Sequence, residues 1–336
     1  MKIDGGIGTD LGTVGEEARK AEEAGYDAVW TAEVGHDPFL PLTLATEHTE
    51  RVGLGTGIAV AFARSPMTLA NTAWDLNAYA KGRLLLGIGS QVKAHIEKRY
   101  SMPWSHPAPR MREFICAMQA VWDCWQNGTK LDFRGDFYTH TLMTPFFHPG
   151  VNDYGPPKVF LAAVGEGMTK VAAEVADGLL VHGFTTERYL REVTLPTVGG
   201  ALAAGGRARE AFELSYPAFV VTGQSEQEMV AAAAGVRKQI AFYASTPAYR
   251  PVLECHGWGD LQPELNSLSK RGEWDEMGRR ITDEVLDAFA VQGAPDEIAG
   301  LLQGRFGDVI DRISLYMPYR DRGVAPRILA GLRQVG

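Results

Sequence analysis

The sequence predicts an α/β fold, a (β/α)₈ TIM barrel formed as a single domain by residues 1–336, with insertions over its C-terminal face. Eight apolar strand patterns alternate with eight helical patterns along the 336 residues, and this order favours parallel strands joined by right-handed connections. Strand patterns such as Leu84–Leu86 are apolar at successive positions, which is typical of strands buried on both faces. The length and the 45% hydrophobic content suffice for one barrel with a large core.

The first half of the chain contains four strand–helix units. Its predicted strands are Lys2–Gly8, Asp27–Glu33, Val52–Phe62 and Arg83–Gly89. Its later helices include Pro41–Glu50 and Pro109–Gln126. The first helix is bounded by a capping-box pattern, Thr13-Val14-Gly15-Glu16, and by Gly25 as its C-terminal cap. Ser65 and Pro66 are the N-cap and first-turn residues expected at the start of the third helix.

The second half repeats this order. Its predicted strands are Lys158–Ala163, Gly178–Gly183, Phe212–Thr222 and Val309–Met317. Its predicted helices are Gly167–Ala176, Glu187–Ala204, Ser225–Tyr243 (which begins with a capping box, Ser225 to Glu228) and Val324–Arg333. Two insertions exceed the minimal unit: residues 130–157 predict a hairpin with its turn at Phe133–Phe137, and residues 245–292 are rich in Trp, Pro and Tyr. Both insertions are expected to lie over the barrel mouth or to mediate association.

Composition and charge exclude several classes of protein. The net charge of −8 and the pI near 5.6 provide no basic surface for nucleic acid or anionic membranes. Neither a signal-peptide pattern nor an apolar run of about 18 residues is present, so no membrane span is predicted. The three cysteines, Cys116, Cys124 and Cys255, form no CxxC pair, which is typical of the reducing cytoplasm. Because neither an HExxH motif nor a histidine cluster at helical spacing occurs, no metal site is predicted.

The candidate functional residues follow the predicted strands, because the active site of a (β/α)₈ barrel lies at the carboxyl ends of its strands. In Ala162–Thr169 a strand runs into a glycine-rich turn that opens a helix, and free N–H groups at such a turn favour a phosphate. A tight turn that needs glycine explains the same residues, and Glu166 opposes an anion there. The segment therefore indicates either a phosphate site or a packed turn.

Strand three contains more glycine than an ordinary barrel strand, with Gly55 and Gly57 inside the pattern. Glycine within a strand marks a bulge or the close approach of a ligand. Small residues that fit the narrowing interior of a barrel are the alternative explanation. The sequence does not separate these two interpretations.

Glu33, His36 and His95 are the candidate acid–base residues. Glu33 ends strand two, where a carboxylate can donate a proton, orient a ligand or pair with a cation. His36 and His95 lie on predicted mouth loops, where a lone histidine is either a catalyst or a solvated residue. His182 follows strand six at a position where active-site residues lie, and a core residue with satisfied polar atoms is the alternative interpretation. Loop aromatics are candidates for a pocket wall, for insertion packing or for a dimer interface: Trp104, Phe146, Phe147, Tyr249 and Trp258.

Several short segments occur in the order found in one family. They are Ala24–Trp30, Gly55–Ile58, Arg64–Pro66, Gly82–Gly89, Pro157–Gly167 and Ala176–Gly178. Together they resemble the luciferase-like superfamily of flavin- and deazaflavin-dependent barrel enzymes, over a range from Lys2 to about Leu329. Gln91–Glu97 and Phe242–Leu261 are similar to the actinobacterial branch that uses coenzyme F420.

The resemblance implies coenzyme F420 as the cofactor and hydride transfer between it and a small organic substrate as the reaction. It also implies a ring-binding site on strand three, with a non-prolyl cis peptide at Gly57–Ile58, and a phosphate loop after strand five. The positions that match cofactor-binding residues of the family are Gly57, Ile58, Val60, Ser90, Gln91, Ala162, Ala163, Val164, Gly165 and Gly167. Glu33 matches a further cofactor-contacting position.

The chain departs from one branch of this family at two positions. Sugar-phosphate dehydrogenases of the family have a histidine directly after the strand-two carboxylate and a glutamate after strand four, whereas this chain has Val34 and Val92. Their acid–base chemistry is therefore not implied. The alternatives are an FMN-dependent monooxygenase on the same barrel, a non-redox barrel enzyme that acts on a sugar phosphate, and a cofactor-binding protein without catalysis. The resemblance also implies a homodimer.

Overall fold

A computed structural model describes residues 1–319 and 323–335. Eight parallel strands form its barrel: β1 Lys2–Gly6, β2 Ala28–Thr31, β3 in two parts, Gly53–Thr56 and Ala59–Val60, β4 Leu84–Gly89, β5 Lys158–Ala163, β6 Gly178–Val181, β7 Glu213–Val221 and β8 Arg312–Tyr316. Each strand pairs with the next one, and β8 pairs with β1 in the register Lys2↔Arg312 to close the barrel. The predicted (β/α)₈ barrel is confirmed.

Helices surround this barrel. Those that follow the strands are Val14–Ala24, Phe39–Glu47, Pro66–Tyr79, Lys93–Lys98, Pro107–Asn127, Glu166–Val175, Glu187–Tyr189, Leu195–Ala204, Glu226–Ala244, Ile298–Phe306 and Ala325–Val335. A π-helical turn, Leu190–Thr194, joins two of them. The predicted helix Glu187–Ala204 is therefore one continuous segment with a π-helical turn inside it. Ile298–Phe306 was not among the predicted helices.

Local capping confirms three of the expected helix ends. The Ser65 side chain accepts a hydrogen bond from the Thr68 N–H at 3.1 Å, and Ser225 accepts one from the Glu228 N–H at 3.3 Å. Gly25 ends the first helix with φ of 90°, a left-handed conformation that suits glycine. These ends follow from side-chain chemistry within a few residues, which is why the sequence predicts them.

The capping box predicted at Thr13 to Glu16 is wrong. Thr13 Oγ1 donates to the Glu17 carboxylate at 2.7 Å, and the same carboxylate accepts from the Gly8 N–H at 2.8 Å. Glu16 pairs with Arg19 on the exposed face of the helix instead. The carboxylate that reaches back is therefore one residue later than expected, because it ties the helix to the end of β1.

The insertion at residues 130–157 contains the predicted hairpin. Phe133–Arg134 pairs antiparallel with Thr139–His140, so Phe133 and Arg134 belong to a strand and the turn is formed by residues 135–138. Glu113, on helix Pro107–Asn127, accepts backbone hydrogen bonds from the turn residues 136–138. The Asn77 side chain donates to the Gly155 carbonyl at 2.9 Å. This insertion therefore packs along two of the outer helices.

The insertion at residues 245–292 is mostly helical. Its elements are the 3₁₀ turn Pro247–Tyr249, the helices Arg250–Glu254, Leu261–Lys270, Trp274–Arg279 and Asp283–Phe289, and the short strand Ala290–Gln292. This strand pairs in parallel with the end of β7, in the register Phe219↔Ala290. The helices bury Phe184, Phe219 and Phe289 in a second hydrophobic cluster. The insertion thus covers the carboxyl ends of β6 and β7.

The barrel interior is organised around one tryptophan and a buried ion pair. A Cβ atom at Gly55 would overlap the indole of Trp30, so packing explains this glycine of β3. Trp30 Nε1 donates to the Asp4 carboxylate at 3.0 Å. Arg312 donates two hydrogen bonds to the same carboxylate at 2.8 and 2.7 Å. Asp4 and Arg312 are 2% and 3% exposed, and Arg312 also donates to the Glu213 carboxylate at 3.1 Å. Arg312 is therefore the buried cation that compensates the Asp4 charge.

We expect Arg312→Met to lower the free energy of unfolding by about 3–5 kcal/mol, because it leaves the Asp4 carboxylate buried without its cation. Urea unfolding followed by tryptophan fluorescence measures this loss. In the double variant Asp4→Asn/Arg312→Met the buried charges are absent, and the carbonyl oxygen of the introduced amide can still accept from Trp30. This variant should recover most of the loss, and equal losses in the two variants would contradict the ion-pair argument.

Candidate active site

The second glycine position in β3 interrupts the strand at the barrel mouth. The Gly57–Ile58 peptide bond is cis, and β3 resumes at Ala59. Two backbone hydrogen bonds connect this bulge to the end of β2: Gly57 N–H donates to the Thr31 carbonyl at 2.6 Å, and Glu33 N–H donates to the Ile58 carbonyl at 3.2 Å. Gly57 is exposed and Ile58 is half-buried, so the bulge forms part of the mouth surface.

The bulge is continuous with the ends of β4 and β5. A Cβ atom at Gly89 would lie 3.1 Å from Ile58 Cδ1 and 3.6 Å from Ala162 Cβ. Ser90 follows Gly89 and is half-buried. The structure therefore brings together several residues that the sequence nominated separately. We refer to Gly57, Ile58, Ser90 and Ala162, together with the buried Gly89 between them, as the β3–β5 surface. This surface consists of small or apolar residues and can accept a flat ring.

Three other predicted cofactor-binding residues lie beside or behind this surface. Val60 is fully buried, and it supports the bulge from within the core. Gln91 adopts φ of 59°, and its side-chain oxygen accepts from the Val92 N–H at 3.0 Å. Ala163 is buried next to β6, where it pairs with Val181.

Glu33 is held by contacts to both of its carboxylate oxygens. Oε2 accepts from the Val60 N–H at 2.7 Å and from Arg64 Nη1 at 2.6 Å, and Oε1 accepts from the Tyr100 hydroxyl at 3.2 Å. Arg64 also donates to the Val60 carbonyl at 3.1 Å. The Glu33 and Arg64 side chains are only 9% and 17% exposed. Of the roles open to Glu33, its contacts favour pairing with a cation and positioning of the bulge.

His36 and His95 both have exposed side chains on loops of the mouth. His36 lies in the bend after β2, and His95 lies on the short helix Lys93–Lys98 after β4. The two loops meet where the Arg99 guanidinium donates to the Val34 carbonyl. Glu33, His36 and His95 therefore lie on one side of the mouth, and their catalytic roles stay predictions.

The turn after β5 offers backbone groups to a ligand. Gly165 is the extended N-cap of helix Glu166–Val175, and the first N–H groups of a helix have no acceptor within it. A Cβ at Gly165 would meet no described atom within 4 Å, and one at Gly167 would meet only Ala108 at 3.9 Å. These glycines border open space, as a cradle for a phosphate requires. Glu166 is exposed at the same turn.

Two residues near the mouth were not assigned a site role by sequence reasoning. Arg64 and Tyr100 complete the contacts of Glu33. Burial and the Glu33 carboxylate raise the pKa of Tyr100, which keeps its hydroxyl protonated as a donor. The sequence signals for Arg64 are its place between the third strand and the Ser65 cap and its position in the Arg64–Pro66 segment that resembles the family. Tyr100 lies between two predicted elements and has no signal of its own.

The loop aromatics have different positions. Trp104 packs edge-on against Phe62, with ring centroids 5.6 Å apart, and Trp258 stacks on His256 at 4.4 Å. Phe146 and Phe147 are 89% and 70% exposed on the outer insertion. Tyr249 contacts His182 at the mouth. Only Tyr249 among these five is therefore placed beside a polar residue of the mouth.

Two further properties of the chain concern metals and membranes. Within residues 1–319 and 323–335, no group of three or more His, Cys, Asp or Glu side chains is arranged to hold a metal ion. In the same part of the chain, no helix has both the length and the apolar character needed to cross a bilayer.

The fold and this mouth define a (β/α)₈-barrel protein with a small-residue surface across the ends of β3, β4 and β5 and a glycine turn after β5. The family model for luciferase-like monooxygenases matches residues 3–311. The chain therefore belongs to the luciferase-like monooxygenase family, and the resemblance seen in the sequence is confirmed.

Individual relatives agree with this assignment. The chain is 57% identical to an uncharacterised protein of Mycobacterium tuberculosis over 93% of its own length and 92% of the relative. It is 27% identical to the 5,10-methylenetetrahydromethanopterin reductase of Archaeoglobus fulgidus, over 83% of this chain and 81% of that one. The coenzyme F420-dependent tetrahydromethanopterin reductase of Methanopyrus kandleri has a similar fold, with a TM-score of 0.76, 18% identity and coverage of 98% and 96%.

We expect Glu33→Gln to lower the free energy of unfolding by about 1–3 kcal/mol, because the charged acceptor of Arg64 and the Val60 N–H is lost. Urea unfolding of Glu33→Gln, Arg64→Met and the double variant measures this loss and the coupling of the two side chains. The loss in the double variant should be smaller than the sum of the single losses. A residue kept for chemistry alone often leaves stability unchanged or raised when it is replaced, and that outcome would contradict the anchoring role.

Proposed function

We propose that this protein is an oxidoreductase that transfers a hydride between coenzyme F420 and a small organic substrate. The observation that carries the proposal is the continuous β3–β5 surface with the open glycine turn directly beside it. Support also comes from the F420-dependent reductase of similar fold and from the family to which the chain belongs. A cofactor with a flat ring and a phosphate needs both features in one site.

The residues present fit such a cofactor. Gly57, Ile58 and Ala162 would lie against its ring, and the N–H groups at Gly165 to Gly167 would hold its phosphate. When bound, the deazaflavin supplies the hydride chemistry. The protein positions the ring through the Glu33–Arg64 contacts and excludes water with buried neighbours such as Val60.

We assign proton transfer to residues that follow β2 and β4 at the barrel mouth. Both oxygens of Glu33 are engaged, so we propose that Glu33 positions the bulge. His36 and His95 are exposed on adjoining loops, and they are the proposed groups for exchange of a proton with the substrate. Val34 and Val92 occupy the positions of the dehydrogenase acid–base residues, so a sugar phosphate is not the proposed substrate.

An FMN-dependent monooxygenase is the second candidate function. The matching family is described as luciferase-like monooxygenases, and a flavin ring would use the same β3–β5 surface. The two candidates differ in the cofactor that the protein selects.

Calorimetric titration of the purified protein with coenzyme F420, and separately with FMN, tests the proposal. We expect micromolar or tighter binding of F420 and binding of FMN weaker by about tenfold or more, a difference of about 1.4 kcal/mol. Ala162→Leu adds bulk on the β3–β5 surface and should abolish this binding, whereas Ala203→Leu, at an exposed helical position, should not alter it. Preference for FMN would favour the monooxygenase, and binding of neither would overturn both.

We also propose that the protein is a cytoplasmic homodimer. Cys116, Cys124 and Cys255 are all free thiols, as the reducing cytoplasm allows. The outer insertion exposes Leu142, Phe146 and Phe147 at 75%, 89% and 70%. A cluster of exposed large apolar side chains is typical of an interaction surface, and a second copy of the chain is the proposed occupant.

Light scattering during size-exclusion chromatography measures the oligomeric state. We expect a dimer for the natural sequence and a monomer for Phe146→Glu/Phe147→Glu, because the added charges would be buried without partners. Tyr79→Glu, at an exposed position on another helix, is the matched control and should stay dimeric. A monomeric natural protein, or a dimer that survives both glutamates, would contradict this surface.

A further inference from the structure

The side of the mouth formed by β6, β7 and β8 is lined by aromatic rings with polar tips. Four of these residues are partly exposed, and we call them the aromatic wall: His182, Tyr243, Tyr249 and Tyr316. Buried phenylalanines, Phe184 and Phe219, lie behind them. The four residues of the wall are therefore partly accessible, and their rings are supported by the core.

The wall adjoins the predicted phosphate turn. His182 directly follows β6, which pairs with β5 in the register Ala163↔Val181. Val164 and His182 consequently line the same small cavity. A Cβ atom at Gly183 would lie 3.1 Å from the Tyr316 ring, so β8 brings Tyr316 against the same segment. The aromatic wall thus begins where the turn after β5 ends.

His182 is a neutral hydrogen-bond donor. The Phe184 N–H donates to His182 Nδ1 at 3.0 Å, so in the neutral ring the proton is on Nε2. Burial lowers the pKa of His182 to about 4, and the ring is therefore uncharged at pH 7. Tyr249 lies 3.5 Å from Nε2, a separation at the outer limit of a hydrogen bond. The Nε2–H group is thus only weakly engaged.

Tyr243 and Tyr316 provide a second neutral donor. Their hydroxyl oxygens are 2.8 Å apart, so one hydroxyl donates to the other. Gln239 is a further hydrogen-bond partner of the Tyr243 side chain, so when Tyr243 donates to Tyr316, the Tyr316 proton is available to a third group. Burial raises the pKa of both tyrosines, which keeps both hydroxyls protonated.

We propose that the aromatic wall binds the oxygen of an uncharged carbonyl substrate, with His182 Nε2–H and the Tyr243–Tyr316 hydroxyl pair as its donors. The proposal rests on the proposed function, in which the cofactor ring occupies the β3–β5 surface across the mouth. None of the four side chains of the wall is charged at pH 7. A carboxylate or phosphate would lose its hydration there without gaining a cation, whereas a ketone or aldehyde needs only neutral donors.

The probe for this subsite is 4-(dimethylamino)cinnamaldehyde, a neutral aldehyde whose absorption moves to longer wavelength when its carbonyl accepts hydrogen bonds. It is titrated into the protein with and without coenzyme F420. We expect saturable binding with a red shift. His182→Phe and Tyr316→Phe should each weaken binding by about three- to tenfold, the effect of losing one neutral hydrogen bond, and each should reduce the red shift.

Two controls separate hydrogen bonding from other effects. Tyr79→Phe removes a hydroxyl that is bonded to Glu47 at an exposed position and should change neither the affinity nor the shift. The carboxylate 4-(dimethylamino)cinnamate has nearly the same shape, and it should bind more weakly than the aldehyde. Circular dichroism of each variant checks that it is folded. If His182→Phe does not fold, Tyr316→Phe alone tests the subsite.

The outcomes for the two proposals are distinct. The subsite is overturned if the aldehyde does not bind, if it binds without a red shift, if both variants bind it unchanged, or if the carboxylate binds equally well. Titration of the natural protein with F420 tests the proposed function separately. If F420 does not bind but the variants still weaken binding of the aldehyde, the proposed function fails and the carbonyl subsite stands.

Discussion

A single indole ring connects the buried charge of the barrel with the surface at its mouth. Trp30 donates to Asp4, the partner of Arg312, and its ring occupies the space that a side chain at Gly55 would need. It also packs edge-on against Phe160 of β5, with ring centroids 5.9 Å apart. Because protein interiors are closely packed, this ring links the packing of β2, β3 and β5. The bulge at Gly57, two residues beyond Gly55, is built on that packing.

The mouth above this core has two chemically different sides. On the side of β3, β4 and β5, small residues leave room for a flat ligand, and the Glu33–Arg64 pair holds the bulge from behind. On the side of β6, β7 and β8, the insertion at residues 245–292 supplies Tyr249, and the preceding helix supplies Tyr243. Strand order makes these sides adjacent at β5 and β6, and in the closed barrel β4 stands opposite β8. One side therefore offers space and the other offers directed donors.

The sequence predicts most of the fold but only part of the site. The strands are predictable because their apolar runs report burial on both faces, and the Ser65 and Gly25 caps depend on nearby atoms alone. Contacts across the barrel are different, because Glu33 and Arg64 are 31 residues apart and Tyr243 and Tyr316 are 73 residues apart. No local pattern encodes such pairs. The sequence does not separate a site role from a core role for His182, since its half-buried position and weakly engaged Nε2 arise only after the barrel closes.

Charge compensation within the mouth limits what the site can select. The Glu33 carboxylate is paired with Arg64, and the four residues of the aromatic wall are neutral at pH 7. The proposed carbonyl subsite therefore offers hydrogen-bond donors and shape rather than a charged partner. Discrimination on that basis penalises a charged competitor, because its desolvation is left uncompensated. The proposed preference for an uncharged carbonyl is thus a consequence of the neutral side chains of the aromatic wall.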